Sequence, residues 1–132
     1  MTAKTLMIQG TGSGVGKSVL TAAFCRYFYQ AGYKVAPFKS QNMALNSFVT
    51  ERGEEMGRAQ VYQAEACGLK PEILMNPILL KTSSDNNSQV IVMGKPNGFR
   101  NAKDFYSRHL KHKEVVTQAL EELRSKYELV II

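Results

Sequence analysis

Residues 10–18, GTGSGVGKS, combine the backbone freedom and the side chains that a bound phosphate group requires. Glycines let successive main-chain N–H groups curl around phosphate oxygens, because no Cβ blocks the approach and left-handed backbone angles carry no strain. Lys17 then offers a cation for the terminal phosphates, and the hydroxyl of Ser18 is a ligand for Mg²⁺. This order of residue types predicts a loop that binds a nucleoside triphosphate.

The loop departs from the strict pattern G-x-x-x-x-G-K-[ST], since the first glycine would fall at Thr11 and Gly10 stands one position early. Its last five residues, GVGKS, are intact, and these are the residues that touch phosphate. The alternative is a glycine turn with an exposed lysine, which a preceding apolar run and a following helical pattern disfavour. The predicted nucleotide-contacting residues are Gly10, Thr11, Gly12, Ser13, Gly14, Val15, Gly16, Lys17 and Ser18.

The elements around the loop must place it at the edge of a sheet. An apolar run at 4–9 predicts a strand. Apolar residues at helical spacing predict a helix over 17–30, with Gly32 at the position of a C-cap. Residues 33–38 predict a second strand. This arrangement fits a right-handed βαβ unit of about 30 residues. Both strands then end at the same edge, so Lys39 is expected beside the loop. The residues at helical spacing are Val19, Leu20, Ala23, Phe24, Tyr27 and Phe28.

The remainder of the chain continues the alternation of strands and helices. Residues 39–55 are polar and amide-rich without a clear period, which predicts a long loop. A helix is predicted over 55–69, a strand over 88–95, a helix capped by Asn101, and a final strand over 127–132. The predicted fold class is α/β, a parallel sheet flanked by helices. The sequence ends on this last predicted strand, whereas ligands in open α/β sheets bind at the loops that follow such strands. We therefore expect the sequence to be a fragment.

Length and composition limit the remaining possibilities. The chain has 132 residues, of which 44% are apolar, and this is enough for the core of one domain. No run is long and apolar enough to span a membrane, and the first residues lack the layout of a signal peptide. Cys25 and Cys67 have no metal-ligand spacing and are predicted to be buried in a reducing compartment. A cytoplasmic protein without membrane contact is expected.

The formal net charge is +6, from 17 basic and 11 acidic side chains. Much of the excess lies in 100–113, where basic and apolar residues alternate as on an amphipathic helix. A solvated helix face explains this pattern better than nucleic-acid binding, so no nucleic-acid partner is predicted. His109 and His112 have no carboxylate or cysteine neighbour at ligand spacing and are predicted to be structural or exposed.

The loop variant resembles that of dethiobiotin synthetase and of the amidating enzymes of cobalamin synthesis. The related partitioning and cell-division-site ATPases carry a signature lysine at the position of Gly12, which argues against them. Three further segments resemble successive signatures of the cobyric acid synthase family: PFKSQNMALNS (37–47), EMGRAQVYQAEACG (55–68) and MNPILLKTSSDNNSQVIVMGK (75–95). Because the resemblance runs in order over essentially the whole chain, the sequence is identified as a member of that family.

The resemblance implies a P-loop NTPase-type fold like that of dethiobiotin synthetase, and a glutamine-dependent reaction that consumes ATP with Mg²⁺. The implied substrate is a corrin, adenosylcobyrinic acid a,c-diamide, whose remaining carboxylates become amides through acyl phosphates. In this family a C-terminal glutaminase domain with a cysteine nucleophile supplies ammonia, and neither Cys25 nor Cys67 has that setting. Residues 1–132 are thus expected to be the N-terminal ATP-binding part, inactive alone, with the glutaminase domain of the same parent chain as partner.

The resemblance also implies roles for charged residues. Lys17 and Lys39 are the predicted catalytic cations. Lys39 resembles a phosphate-side lysine of dethiobiotin synthetase, whereas the residues alone leave an exposed loop lysine equally open. Glu55 resembles an acidic residue associated with Mg²⁺, so Ser18 and Glu55 are the predicted metal ligands. A carboxylate at the start of a helix is alternatively a favourable partner of the helix dipole.

Two groups of polar residues are candidates for contacts with the corrin substrate. Both groups could instead satisfy turns and backbone groups, and for the group near residue 85 ordinary turn chemistry is slightly favoured. No role is predicted for Gln60 or Gln63. The candidate substrate-binding residues are Gln41, Asn42, Asn46, Lys81 and Ser88, with Ser83 and Asp85 in the same polar cluster as the last two.

Two other functions stay open on the sequence. One is a nucleotide switch that controls a partner or DNA, as in the partitioning ATPases, which Gly12 disfavours. The other is a dethiobiotin-synthetase-like enzyme that activates a smaller carboxylate, which the segment 37–47 disfavours. An exposed sheet edge at the end of the fragment would also allow homo-oligomers to form.

Overall fold

The computed structural model describes residues 2–82 and 87–132, and these residues form sheets with flanking helices. Ser83 and Asp85 of the predicted polar cluster lie outside the described residues. The strands are β1 (Lys4–Leu6), β2 (Val35–Pro37), β3 (Gln41–Met43), β4 (Ser47–Val49), β5 (Glu55–Gly57), β6 (Ile78–Thr82), β7 (Asn87–Val92), β8 (Lys95–Asn101) and β9 (Leu129–Ile131). The helices are α1 (Lys17–Gln30), α2 (Arg58–Ala66), α3 (Ala102–Ser107) and α4 (His109–Lys126), with a 3₁₀ turn at Ile73–Met75.

The glycine loop follows the first strand of a parallel sheet whose strand order is β1, β9, β2. In register, Val130 of β9 lies between Thr5 of β1 and Ala36 of β2. The last strand of the chain is therefore inserted between the two strands of the predicted βαβ unit. All three strands run in the same direction, so their carboxyl ends meet at one edge. This confirms the α/β class and places Lys39 at the same edge as the loop.

Helices cover both faces of this sheet, which explains why all of β2 is buried. On one face, Cys25 of α1 forms a buried cluster with Cys67, Val35 and Ile131. The burial of both cysteines is thus confirmed, and contact with the Cys25 thiol, together with burial, raises the pKa of Cys67. On the other face, α4 packs through Leu123.

The apolar residues of α1 mark its buried face only in part. The helix has the predicted bounds, but its buried residues are Thr21, Ala22 and Cys25. Val19 and Leu20 are exposed. Small side chains face the sheet and α2 because they let the helices approach closely. Phe24 and Phe28 pack at the margin of this buried cluster.

The prediction of one long loop over 39–55 is wrong. β3 pairs in parallel with β6 and begins a second sheet of order β3, β6, β7, β8, and β4 pairs with β5 as an antiparallel hairpin. The prediction that a helix begins at Glu55 is also wrong, because β5 continues to Gly57 and α2 begins at Arg58. Gly57 is extended, with φ −70° and ψ 136°, and its N–H is held by Asn76 at 2.9 Å. The dipole interpretation of Glu55 therefore fails.

The second sheet packs one face against α3 and α4. Ile78, Leu80, Val90 and Phe105 form the buried cluster between them. β7 confirms the strand predicted over 88–95, whereas β8 follows it as a partner that was not predicted. The exposed sequence KPNGFRN of β8 has no apolar alternation, so its strand character comes from pairing with β7.

The predicted helix after Asn101 begins as expected and is divided at Arg108. The side-chain oxygen of Asn101 accepts the N–H of Asp104 at 2.9 Å, which confirms the cap. His109 is exposed, and the ring of His112 stacks on Phe105 at 4.5 Å between centroids. Both histidines are thus exposed or structural, as predicted.

The largest buried cluster lies on the face of the parallel sheet that α4 covers. Its members come from β2, β5, α2, the 3₁₀ turn, α4 and β9, whereas the buried residues of the second sheet form the separate cluster with Phe105. Among residues 2–82 and 87–132, no helix combines the length and the apolar character needed to cross a bilayer. The fully buried members include Ala36, Met56, Ala64, Met75, Leu123 and Val130.

Candidate nucleotide-binding site

The loop between β1 and α1 uses the backbone freedom of its glycines. Gly14 and Gly16 have positive φ angles of 73° and 93°, in the left-handed region that glycine occupies without strain. The Gly16 carbonyl accepts the N–H of Leu20 at 2.9 Å, so the loop runs directly into α1. The N–H groups at the start of a helix lack intrahelical partners, and here they lie at the end of an exposed glycine loop.

Gly10 explains why the sequence departs from the strict loop pattern. A Cβ at this position would lie 2.8 Å from Cγ2 of Val15 and 3.0 Å from Cγ of Lys17. The side chains of Val15 and Lys17 therefore lie over residue 10, and a side chain there would push them aside. The glycine that the fold needs is Gly10, one position earlier than Thr11 in the strict pattern.

Lys17 and Lys39 lie at the same edge of the parallel sheet. The ammonium of Lys17 donates to the carbonyl oxygen of Gly12, which draws it over the loop. Lys39 is half-buried, and burial together with the Lys17 charge lowers the pKa of its ammonium. Within residues 2–82 and 87–132 neither ammonium forms an ion pair. Two cations beside a loop of main-chain N–H groups form a site suited to a polyanion.

Ser18 lies in the first turn of α1, against α2. Nε2 of Gln63 donates to the Ser18 carbonyl oxygen at 3.1 Å, and Oγ1 of Thr21 donates to the Lys17 carbonyl oxygen at 2.8 Å. These contacts fix the main chain of the turn that follows the loop. The hydroxyl of Ser18 is a hard oxygen donor, the kind of ligand that Mg²⁺ prefers.

Glu55 lies on β5 within a small charged cluster. Oγ of Ser47 donates to its carboxylate, and the ammonium of Lys81 forms an ion pair with it. Burial raises the pKa of Glu55, but hydrogen bonds from Lys81 and Ser47 and the Lys81 charge more than offset this, so its pKa lies below the ordinary value. The carboxylate is therefore ionised at neutral pH, and its negative charge is balanced by Lys81.

The donors present fit a magnesium ion that is bound together with a nucleotide. A carboxylate and a hydroxyl are suitable oxygen ligands, and Mg²⁺ in nucleotide sites takes few protein ligands besides phosphate and water. In the described part of the chain no group of three or more His, Cys, Asp or Glu side chains could hold a metal by itself. A magnesium ion at Ser18 or Glu55 would therefore require phosphate oxygens to complete its coordination.

The residues predicted to bind substrate are only partly brought together. Lys81 is engaged by Glu55, and Nδ2 of Asn42 donates to Oε1 of Gln60 at 3.1 Å. These two side chains therefore make contacts within the protein. Of the others, Gln41 is half-buried in β3, and Asn46 is exposed between β3 and β4. Ser88 is half-buried in β7, opposite Thr82.

Buried amide side chains are the feature that the sequence interpretation missed. Gln60 and Gln63 lie on the buried side of α2, and Asn76 is fully buried after the 3₁₀ turn. Their contacts reach Asn42, Gly57, Ser18 and Lys39. The signal that could have found the glutamines is their spacing of three on one helix face, where apolar residues would otherwise be expected.

Comparison with known proteins agrees with this geometry. The family model described as "CobQ/CobB/MinD/ParA nucleotide binding domain" matches residues 6–132. The chain is 57% identical over 131 residues to a cobyric acid synthase of Desulfitobacterium hafniense (strain DSM 10664 / DCB-2), 57% over 134 residues to one of Carboxydothermus hydrogenoformans, and 54% over 130 residues to one of Dehalococcoides mccartyi (strain CBDB1).

The matches cover the chain and the relatives very unequally. Each alignment spans 98% of this chain and 26% of the relative, so the chain corresponds to about a quarter of the length of the curated relatives it matches. No solved structure matches the chain.

Proposed function

Since the chain belongs to the CobQ/CobB/MinD/ParA nucleotide binding domain family, we propose that it is the ATP-binding part of a cobyric acid synthase. It would act in the cytoplasm as the N-terminal portion of a longer chain, with a glutaminase domain of that chain as its source of ammonia. Its substrate would be adenosylcobyrinic acid a,c-diamide. The high identity to three named cobyric acid synthases over nearly the whole chain supports this assignment.

The proposed chemistry explains why two lysines are needed. A carboxylate resists attack by ammonia because oxide is a poor leaving group. Transfer of the γ-phosphoryl group from ATP to a carboxylate oxygen releases ADP and leaves an acyl phosphate. Ammonia then attacks the acyl carbon and displaces phosphate, which gives the amide. The carboxylate and the triphosphate are both anions, so their approach requires positive charge between them.

The lysine pair is the observation that carries this proposal. Lys17 lies over the loop, where it would bind the terminal phosphates. Lys39 stands at the same sheet edge, close enough for the Lys17 charge to lower its pKa. We propose that Lys39 contacts the oxygens of the γ-phosphoryl group while this group passes from ATP to the carboxylate. A polyanion between the two ammonium groups would remove their mutual repulsion.

Ser18 and Glu55 are the residues proposed to hold Mg²⁺. The ion would supply further positive charge to the phosphate oxygens. Glu55 is ionised and balanced by Lys81, so binding of a cation at this carboxylate would release the Lys81 ammonium for an anionic group of the substrate.

The remaining proposed substrate contacts differ in availability. Asn46 is exposed, and Gln41 and Ser88 are half-buried in the second sheet. Asn42 already donates one N–H to Gln60, so its side-chain oxygen and its second N–H are the groups left for the proposed contact.

A nucleotide switch is the second candidate, because the description of the family includes MinD and ParA. The two functions differ in what activates ATP turnover. The test uses the full-length protein with MgATP and the corrin diamide, without glutamine or ammonia, and hydroxylamine as a trap for acyl phosphate. Corrin-dependent formation of ADP and of corrin hydroxamate is expected. ATP turnover that is indifferent to the corrin and yields no hydroxamate would contradict the proposal and favour the switch.

A further inference from the structure

Asn76 is fully buried, and its amide uses both its donor and its acceptor capacity. Its Oδ1 accepts the N–H of Gly57 at 2.9 Å, and its Nδ2 donates to the carbonyl oxygens of Lys39 at 3.2 Å and of Ile78 at 3.0 Å. The three partners belong to the residue before α2, the segment after β2, and β6. One side chain thus joins the segments that carry Glu55, Lys39 and Lys81.

The main chain of Lys39 is held on both sides by the residues around Asn76. The N–H of Lys39 donates to the carbonyl oxygen of Met75 at 2.8 Å, and the Lys39 carbonyl oxygen accepts from the Asn76 amide. The preceding residue is anchored too, since the N–H of Phe38 donates to Ile131 at 2.7 Å. The start of the Lys39 side chain is therefore fixed relative to the parallel sheet and to the 3₁₀ turn.

The position accepts few other side chains. A neutral amide can donate two hydrogen bonds and accept another, whereas an ionised carboxylate only accepts and an aliphatic side chain does neither. The site is also crowded, because a Cβ at Gly57 would lie 3.1 Å from Oδ1 of Asn76 and 2.4 Å from Nδ2 of Asn42. The closely packed amides therefore leave no room for a side chain at residue 57.

We propose that Asn76 is a positioning residue that holds Lys39 opposite Lys17, an inference that rests on the proposed function of this lysine pair. Asn76 touches neither ammonium; it acts through the main chain of residue 39. Without the amide, the Lys39 carbonyl loses its donor and the segment after β2 is tied only through its N–H groups. The Lys39 side chain then gains access to solvent and moves away from the anion site.

The test compares Asn76→Ala and Asn76→Ser in the full-length protein with Asn101→Ala as the matched control. Asn101 also hydrogen-bonds the main chain, but it caps α3, away from the loop. The serine variant keeps an acceptor for the Gly57 N–H and provides a second chance of a folded protein. The pKa of Lys39 is read by NMR of ¹³C-dimethylated lysines, assigned with Lys39→Arg, and the affinity for MgATP is measured alongside kcat and KM of amidation.

In the Asn76 variants the pKa of Lys39 should rise toward that of an exposed lysine. We expect kcat to fall at least about tenfold while the Kd of MgATP changes less than about threefold, because misplacement affects the transfer step more than binding. Asn101→Ala should change none of these. A folded Asn76 variant with the wild-type Lys39 pKa and wild-type kcat would overturn the inference. If the pKa moves but the wild-type protein forms no acyl phosphate, the proposed function fails and the positioning contact stands.

Discussion

Lys81 and Lys39 are both half-buried, but their charges meet different neighbours. Lys81 pairs with the ionised carboxylate of Glu55, which also accepts from Ser47. Lys39 lies near enough to Lys17 for that charge to lower its pKa, and in the described part of the chain neither of these two is paired with a carboxylate. The same type of side chain is thus neutralised on the second sheet and left uncompensated at the loop edge.

The difference indicates which cluster is built around a ligand. Like charges close together disfavour the folded state unless an anion lies between them, and a cluster with internal charge balance has no such requirement. We therefore expect substitution of either lysine at the loop edge to change ligand binding or turnover more than stability. Substitution of Lys81 should change stability and its dependence on pH.

The largest effect is expected for Lys39→Ala in the full-length protein. Amidation should fall by at least about 100-fold, because a cation that stabilises the transferring phosphoryl group is lost. The Kd of MgATP should stay within about threefold, since the loop and Lys17 remain. Steady-state amidation and calorimetry measure the two quantities. Lys34→Ala removes an exposed lysine from the other end of β2 and serves as the control. A normal rate of amidation in Lys39→Ala would show that Lys39 is a solvated surface lysine without a catalytic role.

A smaller effect is expected for Gly16→Ala, for which the chain offers a closely matched control. Gly16 and Gly32 have φ of 93° and 90°, and a Cβ at either would meet no atom within 4 Å. Both alanine variants should lose about 1–2 kcal/mol of stability through left-handed strain. Only Gly16→Ala should weaken MgATP binding, by about tenfold, because the loop amides are displaced. Equal MgATP affinities in the two variants would show that the main chain of the loop does not bind the nucleotide.

The smallest effects concern stability. Lys81→Ala should cost about 1–2 kcal/mol because it leaves a largely buried carboxylate without its partner, and Lys70→Ala below about 0.5 kcal/mol because the Lys70–Glu51 pair is exposed. Urea unfolding at pH 7 measures both. Comparable losses would contradict the assignment of Lys81 to a neutralised cluster.

The same pair predicts a dependence of stability on pH. The pKa of Glu55 is lower in the folded chain than in the unfolded one. The contribution of Glu55 to the free energy of unfolding is therefore complete at neutral pH. It is lost as the pH falls below about 4.5 and through the folded-state pKa. Lys81→Ala should flatten this part of the stability profile. A profile as steep as that of the wild type would show that Lys81 does not hold the pKa of Glu55 down.

The sequence predicted the loop and α1 because their requirements are local. Glycines at positive φ, the lysine and the helix start follow one another, so spacing is sufficient to identify them. Lys39 could also be placed, since parallel strands end at a common edge. The shift of the first glycine to Gly10 needed the structure, because it depends on contacts with Val15 and Lys17.

The parts that could not be predicted depend on distant partners. β3 is a strand because it pairs with β6, and the helix expected at Glu55 begins later because Asn76 holds Gly57 extended. The exposure of Val19 reflects close packing of small residues on α1, which periodicity does not reveal. Asn76 itself carries no local signal, since two of its three partners, Gly57 and Lys39, are distant in sequence.

Calorimetric titration of Lys17→Ala with MgATP is the most direct test of the nucleotide site. Lys17 is outside the buried core, so the variant should keep the melting temperature of the wild type. Affinity for MgATP should fall at least about 100-fold, because the cation over the terminal phosphates is lost. Lys34→Ala should bind as the wild type does. An unchanged Kd in folded Lys17→Ala would contradict the assignment of residues 10–18 as the triphosphate-binding loop.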